Sequence, residues 1–537
     1  MKMEYDVIIV GAGSAGCALA YRLAAESDLQ VLLLEAGSPA RNPMIHMPLG
    51  FAFLLKAHSN NWNYKTRPEP FLNNRHVDLP RGKVLGGCSA INGMVYVRGQ
   101  AEDYDRWAEL GNEGWAYSDV LPFFKKSEDN ENGADEFHGK GGPLWVGNVV
   151  DEFPVNKAFI EAAKEAGHPF NPDINGATQE GVGYFPHNIY RGKRLSSAAA
   201  FLDHKTGAAH KPDNLLVVPF AHTRRVVIEN GRAVAVECEV KGKKQLFKAG
   251  KEIVLSAGAI NSPKILELSG IGQAEHLQKL GIAVVHDLPG VGENLHDHWN
   301  AYLKQSIRNG DSYFSESKPL PMLKNLFRYF FRKKGFLANP AALVAVFFRA
   351  LESAERPDSQ IHFAPAASNF DAKGNMVPIE GITIATCGVR PDSRGSTHIA
   401  SARFEDAPDI QVNYLQTERD RKIAIAAFRQ SRQIAAASAL KGFCGEEMEP
   451  GSHVQSDEEI LEYIRQTGDP VHHLAGSCKM GVDDLAVVDN RLCVYGIEGL
   501  RVADASIMPE IVSGNTHAPC VMIAEKAAEM MLEKYRA

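Results

Sequence analysis

The run Tyr5–Val10, rich in β-branched residues, ends on Gly11-Ala12-Gly13-Ser14-Ala15-Gly16, and a second apolar run, Gln30–Leu34, ends on Glu35. The first run is continuously apolar, as expected of a strand covered on both faces of a parallel sheet. A helix is expected from about Cys17 to Glu26. Strand, glycine turn, helix, strand and acid together form the βαβ fingerprint for an ADP-containing dinucleotide. Gly11 suits the tight turn, Gly13 the approach of backbone to a pyrophosphate, and Gly16 close helix–strand packing. Glu35, 19 residues beyond Gly16, stands where a ribose hydroxyl needs an acceptor. An isolated glycine triplet says little, but the whole unit is specific. It does not separate FAD from NAD.

With 537 residues the chain has room for several domain-sized units and a core enclosing a cofactor. Hydrophobic residues at 45% and charged residues at 23% exclude a disordered or fibrous chain, and a net charge of −7 argues against a nucleic-acid partner. Eight cysteines (17, 88, 238, 387, 444, 478, 493, 520) show no CxxC pair and no metal-type spacing, so reduced thiols are expected. The apolar run Val7–Val10 is too short for a signal peptide, and no stretch of about 18 apolar residues is present. A cytoplasmic enzyme is expected, with peripheral contact at the inner membrane as an option.

Residues 205–260 read as β structure returning to the nucleotide domain: Asn214–Phe220, Arg225–Ile228, a turn, Ala233–Val240 and Glu252–Ser256. A helix through Leu268 follows. Residues 301–450 carry strand-like segments at Ile382–Val389 and Asp409–Leu415 and a helix from about Glu418 to Ala437. The fold class expected is α/β, α+β overall. A Rossmann-like nucleotide-binding domain (1–155, 196–300 and 466–537) interleaves with an antiparallel-sheet substrate domain (156–195 and 301–465).

Three further segments carry a resemblance. They are Arg81-Gly82-Lys83-Val84-Leu85-Gly86-Gly87-Cys88-Ser89-Ala90-Ile91-Asn92-Gly93-Met94, then Gly258–Leu266 with Ser269-Gly270-Ile271-Gly272, and a C-terminal pair. That pair is His473–Gly481 with Gly514-Asn515-Thr516-His517-Ala518-Pro519. With the N-terminal fingerprint, these resemble the glucose–methanol–choline (GMC) oxidoreductases, in the family's order and over essentially the whole chain. The resemblance implies FAD as cofactor. It places flavin contacts in the loop 81–99, at Gly86, Gly87, Cys88, Asn92, Gly93, Met94 and Val95. It implies further cofactor contacts at Gly11, Gly13, Ser14, Ala15, Gly16, Glu35, Ala36, Ala257, Gly258, Asp504 and Ala505. Asn515, Thr516, His517, Pro519 and the backbone of Val226, at the adenine, complete the set. Members that attach FAD covalently carry histidine at the position of Ile91, so non-covalent FAD is implied.

Oxidising a primary alcohol to an aldehyde removes a proton from oxygen and a hydride from carbon. Flavin N5 accepts the hydride, and the protein supplies the base. A neutral imidazole suits that role near neutral pH. The resemblance puts His473 and His517, 44 residues apart, at the flavin's substrate face. His473 is taken as the principal base and His517 as the group orienting the substrate oxygen. Their roles are open to exchange, and many relatives carry asparagine at the position of His517. His472 reads as a neighbour. His296 and His298 read as structural, and no metal is expected. A helix from about Pro519 to Tyr535 is expected to aim its positive end at the flavin.

The electron acceptor implied is a quinone or oxygen, a dehydrogenase being favoured over an oxidase. The rival reading is a lyase on the same scaffold with structural FAD. Met322–Phe348 interleaves aromatic and basic residues. It reads most simply as a cover over the substrate domain or a homodimer contact, and more sharply as a flap resting on a membrane.

Overall fold

The computed structural model describes residues 4–149, 151–203, 211–308, 312–370 and 376–536; the part of the expected β region at 205–210 lies outside them. The βαβ fingerprint folds as its sequence dictates. Strand β1 (Glu4–Val10) leads through the glycine turn into helix α1 (Ser14–Ala25) and strand β2 (Val31–Leu34). The two strands pair in parallel, Val7 opposite Val31 and Val10 opposite Leu34. Val7, Ile8 and Ile9 are fully buried, which is why the run shows no polar alternation. Gly11 sits at φ +101°, and a Cβ on Gly16 would lie 1.9 Å from the Gly11 carbonyl oxygen, so both glycines are demanded by geometry.

The same sheet is completed by β3 (Leu215–Val218), β4 (Ala221–Glu229), β5 (Arg232–Val240) and β6 (Lys243–Leu255). Its order is β3-β2-β1-β6-β5-β4. The long β6 does two jobs. It pairs in parallel with β1 along one edge, while along the other its first half pairs antiparallel with β5 and its last residues run parallel to Leu500–Val502. Helix α2 (Gly258–Leu268) leaves the sheet directly after β6.

A second sheet is antiparallel throughout. It contains β7 (Trp299–Ile307), β8 (Val344–Phe348), β9 (Ser359–Ala364), β10 (Gly381–Gly388) and β11 (Cys444–Glu449). The order is β11-β7-β10-β9-β8, closed at one edge by Gly181–Tyr184. Helix α3 (Glu418–Ala436), capped by the Thr417 side chain, packs across β10 and β7. Phe159 and Phe363 stack at 4.0 Å in the core beneath. The expected strand Asp409–Leu415 stops at Gln411, because Asn413 and Leu415 take left-handed backbone at φ 60°.

The last helix, α4 (His517–Arg536), returns to the first sheet and packs on α1. Arg22 Nε donates to Glu525 Oε2 at 2.6 Å, joining residues 503 positions apart. No helix among the described residues is long and apolar enough to cross a membrane, and all eight cysteines are free thiols.

Candidate active site

A cavity of about 530 Å³ opens between the two sheets. That falls within the range of small-molecule sites. The first sheet supplies its nucleotide-facing wall: Gly11, Gly13, Ser14 and Ala15 of the glycine turn, then Glu35, Ala36, Ala257, Gly258, Asp504 and Ala505. The loop after Pro80 adds Gly87, Cys88, Ile91, Asn92, Gly93, Met94 and Val95, and the start of α4 adds Asn515, Thr516 and His517.

Four expected cofactor contacts do not reach this lining. Gly16 is spent on helix packing. Gly86, at φ +94°, donates its N–H to the Ala12 carbonyl (2.8 Å) and docks the loop on the glycine turn. Pro519, third in α4, is buried beside Cys520, which does line the cavity. Val226 is buried, its N–H donating to Ser269 Oγ at 2.8 Å. The part of β4 that does line the cavity is its beginning, Ala221–Thr223, ahead of a register shift between Thr223 and Arg225.

The lining fits FAD on three observations. The glycine turn and the Gly86–Gly87 loop approach so closely that a Cβ on Gly87 would sit 2.7 Å from Gly13 Cα, leaving bare backbone amides on that wall. The Glu35 carboxylate, accepting from Ala12 N (2.9 Å) and Gly37 N (2.7 Å), stands at the end of β2. Burial pushes it up to about 7, against the pull of those amides. Asp504 accepts from Gly258 N (2.8 Å) and Ser262 Oγ (2.6 Å), fixing the turn into α2.

At the other end the imidazoles converge. Gln360 Nε2 donates to Asn515 Oδ1 (3.2 Å), which turns the Asn515 amide NH₂ toward His473 Nε2 (3.1 Å). That nitrogen is therefore an acceptor, and the His473 ring proton resides on Nδ1. Nδ1 of His473 lies 2.9 Å from Nδ1 of His298, whose Nε2 in turn donates to the Val389 carbonyl at 2.9 Å. The Asp297 carboxylate accepts the backbone N–H of His473 (2.6 Å) and the Tyr414 hydroxyl (2.8 Å). Burial, reinforced by neighbouring His298, His362 and His472 and by Arg81, holds His473 well below the usual imidazole range. A neutral imidazole, its one ring lone pair on Nε2 facing the Asn515 amide, thus stands at the cavity wall.

His517 is the first residue of α4, and its Nδ1 lies 3.0 Å from Ser14 Oγ. Burial and the Arg194 cation lower it to about 4. The two expected histidines thus line one cavity but keep different company, one with His298 and Asn515, the other with the glycine turn. His472 lines the wall too, its carbonyl accepting from Arg81 Nη2 (2.9 Å).

Sequence reasoning missed His298, set aside as structural, although it touches His473. It also missed His362 on β9 and Arg194, a buried cation whose Nη1 donates to Asn92 Oδ1 (2.7 Å). The Asn294-Leu-His-Asp-His run was the available signal, and with no further ligand spacing to support a metal it reads as structural. Among the described residues no cluster of His, Cys, Asp or Glu is arranged to hold a metal ion.

Residues 5–300 match the N-terminal part of the GMC oxidoreductase family and residues 391–524 the C-terminal part. The chain is 42% identical over 534 residues to the oxygen-dependent choline dehydrogenases of Sinorhizobium fredii and Rhizobium etli, spanning 99% of this chain and 96% of each relative. Among solved structures it is similar to pyridoxine 4-oxidase from Mesorbium loti (31% identity, TM-score 0.87). It is also similar to an R554K variant of formate oxidase from Aspergillus oryzae RIB40 (26% identity, TM-score 0.91). Each match covers 99% of both chains.

Proposed function

Because the chain belongs to the GMC oxidoreductase family, which uses FAD, we propose that it oxidises a primary alcohol to an aldehyde with His473 as the base. Bound FAD supplies the hydride acceptor at N5. The substrate hydroxyl displaces the Asn515 amide NH₂ from the single lone pair of His473 Nε2 and passes its proton there. His298 receives the Nδ1–H and steadies the imidazolium that results. That ordered chain of hydrogen bonds on the wall of the nucleotide cavity is the observation that carries the reading.

The wall from the second sheet consists of Asn300, Tyr302, His362, Ala364, Thr383 and Ala385, with no carboxylate among them. A quaternary ammonium ion needs a carboxylate or an aromatic cage to replace its hydration. Nε2 of His362 and Nδ1 of His472 line the same cavity and have no hydrogen-bond partner among the described residues. These two nitrogens favour an alcohol bearing a second polar group, while Phe51, Trp62 and Tyr302 on the same lining supply the aromatic faces that a quaternary ammonium such as choline, the substrate in the relatives' name, would use. The electrons pass on to oxygen or a quinone; the relatives' name carries oxygen dependence.

Anaerobic mixing of the FAD-loaded enzyme with choline, benzylic, long-chain and hydroxylated alcohols tests this. Bleaching of the yellow flavin by one of these alcohols, lost in His473→Ala, is the expected result. A flavin that no alcohol bleaches would overturn it in favour of acid–base chemistry over structural FAD.

A further inference from the structure

We propose that the segment Lys318–Lys334 is a docking surface for an anionic lipid bilayer. The expected aromatic stretch divides in the structure. Phe336, Leu337, Phe347 and Phe348 are buried, but Leu320, Leu323, Phe327, Phe330 and Phe331 stand out from the surface, between 58% and 83% exposed.

These five lie on the helix Pro319–Phe327 and the wider turn Arg328–Arg332 that continues it. Their spacing of three and four residues puts Leu320, Leu323, Phe327 and Phe330 on one face, with Phe331 beside them. The opposite face is anchored: Asn325 and Tyr329 are buried. The segment is a fixed ridge whose outer edge is apolar, and no described residue covers that edge.

Charge selects the occupant. The chain as a whole carries −7, yet residues 318–334 hold Lys318, Lys324, Arg328, Arg332, Lys333 and Lys334 and no acid. Lys318 pairs with Glu380 and Arg328 with Asp151, whereas Lys324, Arg332 and Lys334 are exposed with no described acidic partner. Lys324, Arg328 and Arg332 follow one another at intervals of four and flank the apolar edge. Apolar side chains sunk among acyl chains, beside cations level with phosphates, is the arrangement of a helix lying in a membrane interface.

The ridge also leads to the cavity. It runs into the short helix Phe336–Ala338, which packs on Pro48–Gly50, and into Ala341 and Ala342 of the cavity wall. Pro48–Gly50 continues into Phe51–Leu54, where Phe51 lines the cavity and Phe53 is 69% exposed. A docked molecule would thus hold lipid close to elements that wall its active site.

Sedimentation of the FAD-loaded enzyme with phosphatidylcholine vesicles, with and without about one phosphatidylglycerol in four lipids, tests the proposal. The enzyme is expected to sediment with the anionic vesicles and to be released several-fold as salt rises from about 0.1 M to about 0.5 M. The double variant Leu323→Glu/Phe327→Glu is expected to lose about tenfold or more of that partition while keeping its bound FAD and its melting temperature. Wild-type enzyme left in the supernatant with both vesicle types would overturn the proposal, as would equal sedimentation of the double variant. So would a lipid-free wild-type dimer that the double variant converts to monomer, since a second copy would then cover the ridge. None of these readouts depends on alcohol oxidation, so the proposal stands or falls apart from the proposed chemistry.

Discussion

His298 and His473 face each other Nδ1 to Nδ1 at 2.9 Å, so one proton serves both nitrogens. The Val389 carbonyl takes the other His298 proton, and Asn515 occupies the other His473 nitrogen, which leaves one consistent set of tautomers. A base whose tautomer is set in this way loses rate when the setting group is removed.

His298→Phe should therefore slow flavin reduction by roughly tenfold, about 1.4 kcal/mol, with little change in the alcohol concentration at half-saturation. His298→Gln, whose amide oxygen restores the acceptor, should recover part of that loss. Rapid mixing under anaerobic conditions measures both. Equal rates in wild type and His298→Phe would show that the contact does not position the base.

His473→Ala should cut the same rate by about 10²–10⁴-fold with FAD retained. His517→Ala should show a different pattern, because His517 rests on Ser14 of the glycine turn. About tenfold weaker FAD binding is expected there, from loss of a hydrogen bond and of packing against the cofactor cradle. Titrating each apoprotein with FAD distinguishes the two.

Ile91 is buried in the cavity lining and offers no nucleophile. Acid precipitation should therefore release the flavin into the supernatant. Colour remaining in the protein pellet would contradict this.

Acid should destabilise the fold early. Burial lowers His222 and His472 to about 3 and His298, His362 and His517 to about 4. The unfolded chain takes up these protons near 6.5, so stability is full above that pH and falls as pH drops below it, levelling near 3–4. At His138 and His398 burial also opposes the charge, but bonds to carboxylates prevail and raise both to about 9. Their contribution is full below 6.5 and fades as pH rises through 9. Melting temperature should peak near neutrality and fall steeply between pH 6.5 and 4. A profile flat across that interval would contradict the neutral buried imidazoles.

What the sequence disclosed follows the range of each interaction. The βαβ unit was legible because its glycines answer to contacts a few residues away, as Gly16 does to Gly11. His473 and His517 were legible only through motif resemblance, since 44 residues separate them and nothing local ties one to the other. His298 was not legible, for its partner is 175 positions distant and its neighbours His296 and Asp297 mimic ligand spacing. Val226 lies outside the cavity lining because a register shift within β4 decides which part of that strand meets the cavity. Leu320–Phe331 and Val344–Phe348 are both rich in aromatic residues, but the first is interleaved with Lys324 and Arg328 while the second is an unbroken apolar run, and the fold exposes the one and buries the other.

The bond between Arg22 and Glu525 has a bearing on how the protein is made. A ribosome adding about 5–20 residues each second takes on the order of half a minute to two minutes to travel from one of these side chains to the other. During that time α1 has emerged but the helix that seals its outer face does not yet exist. The nascent nucleotide fold must wait, greasy side outward, until α4 has been made, and loss of α4 would strand it there.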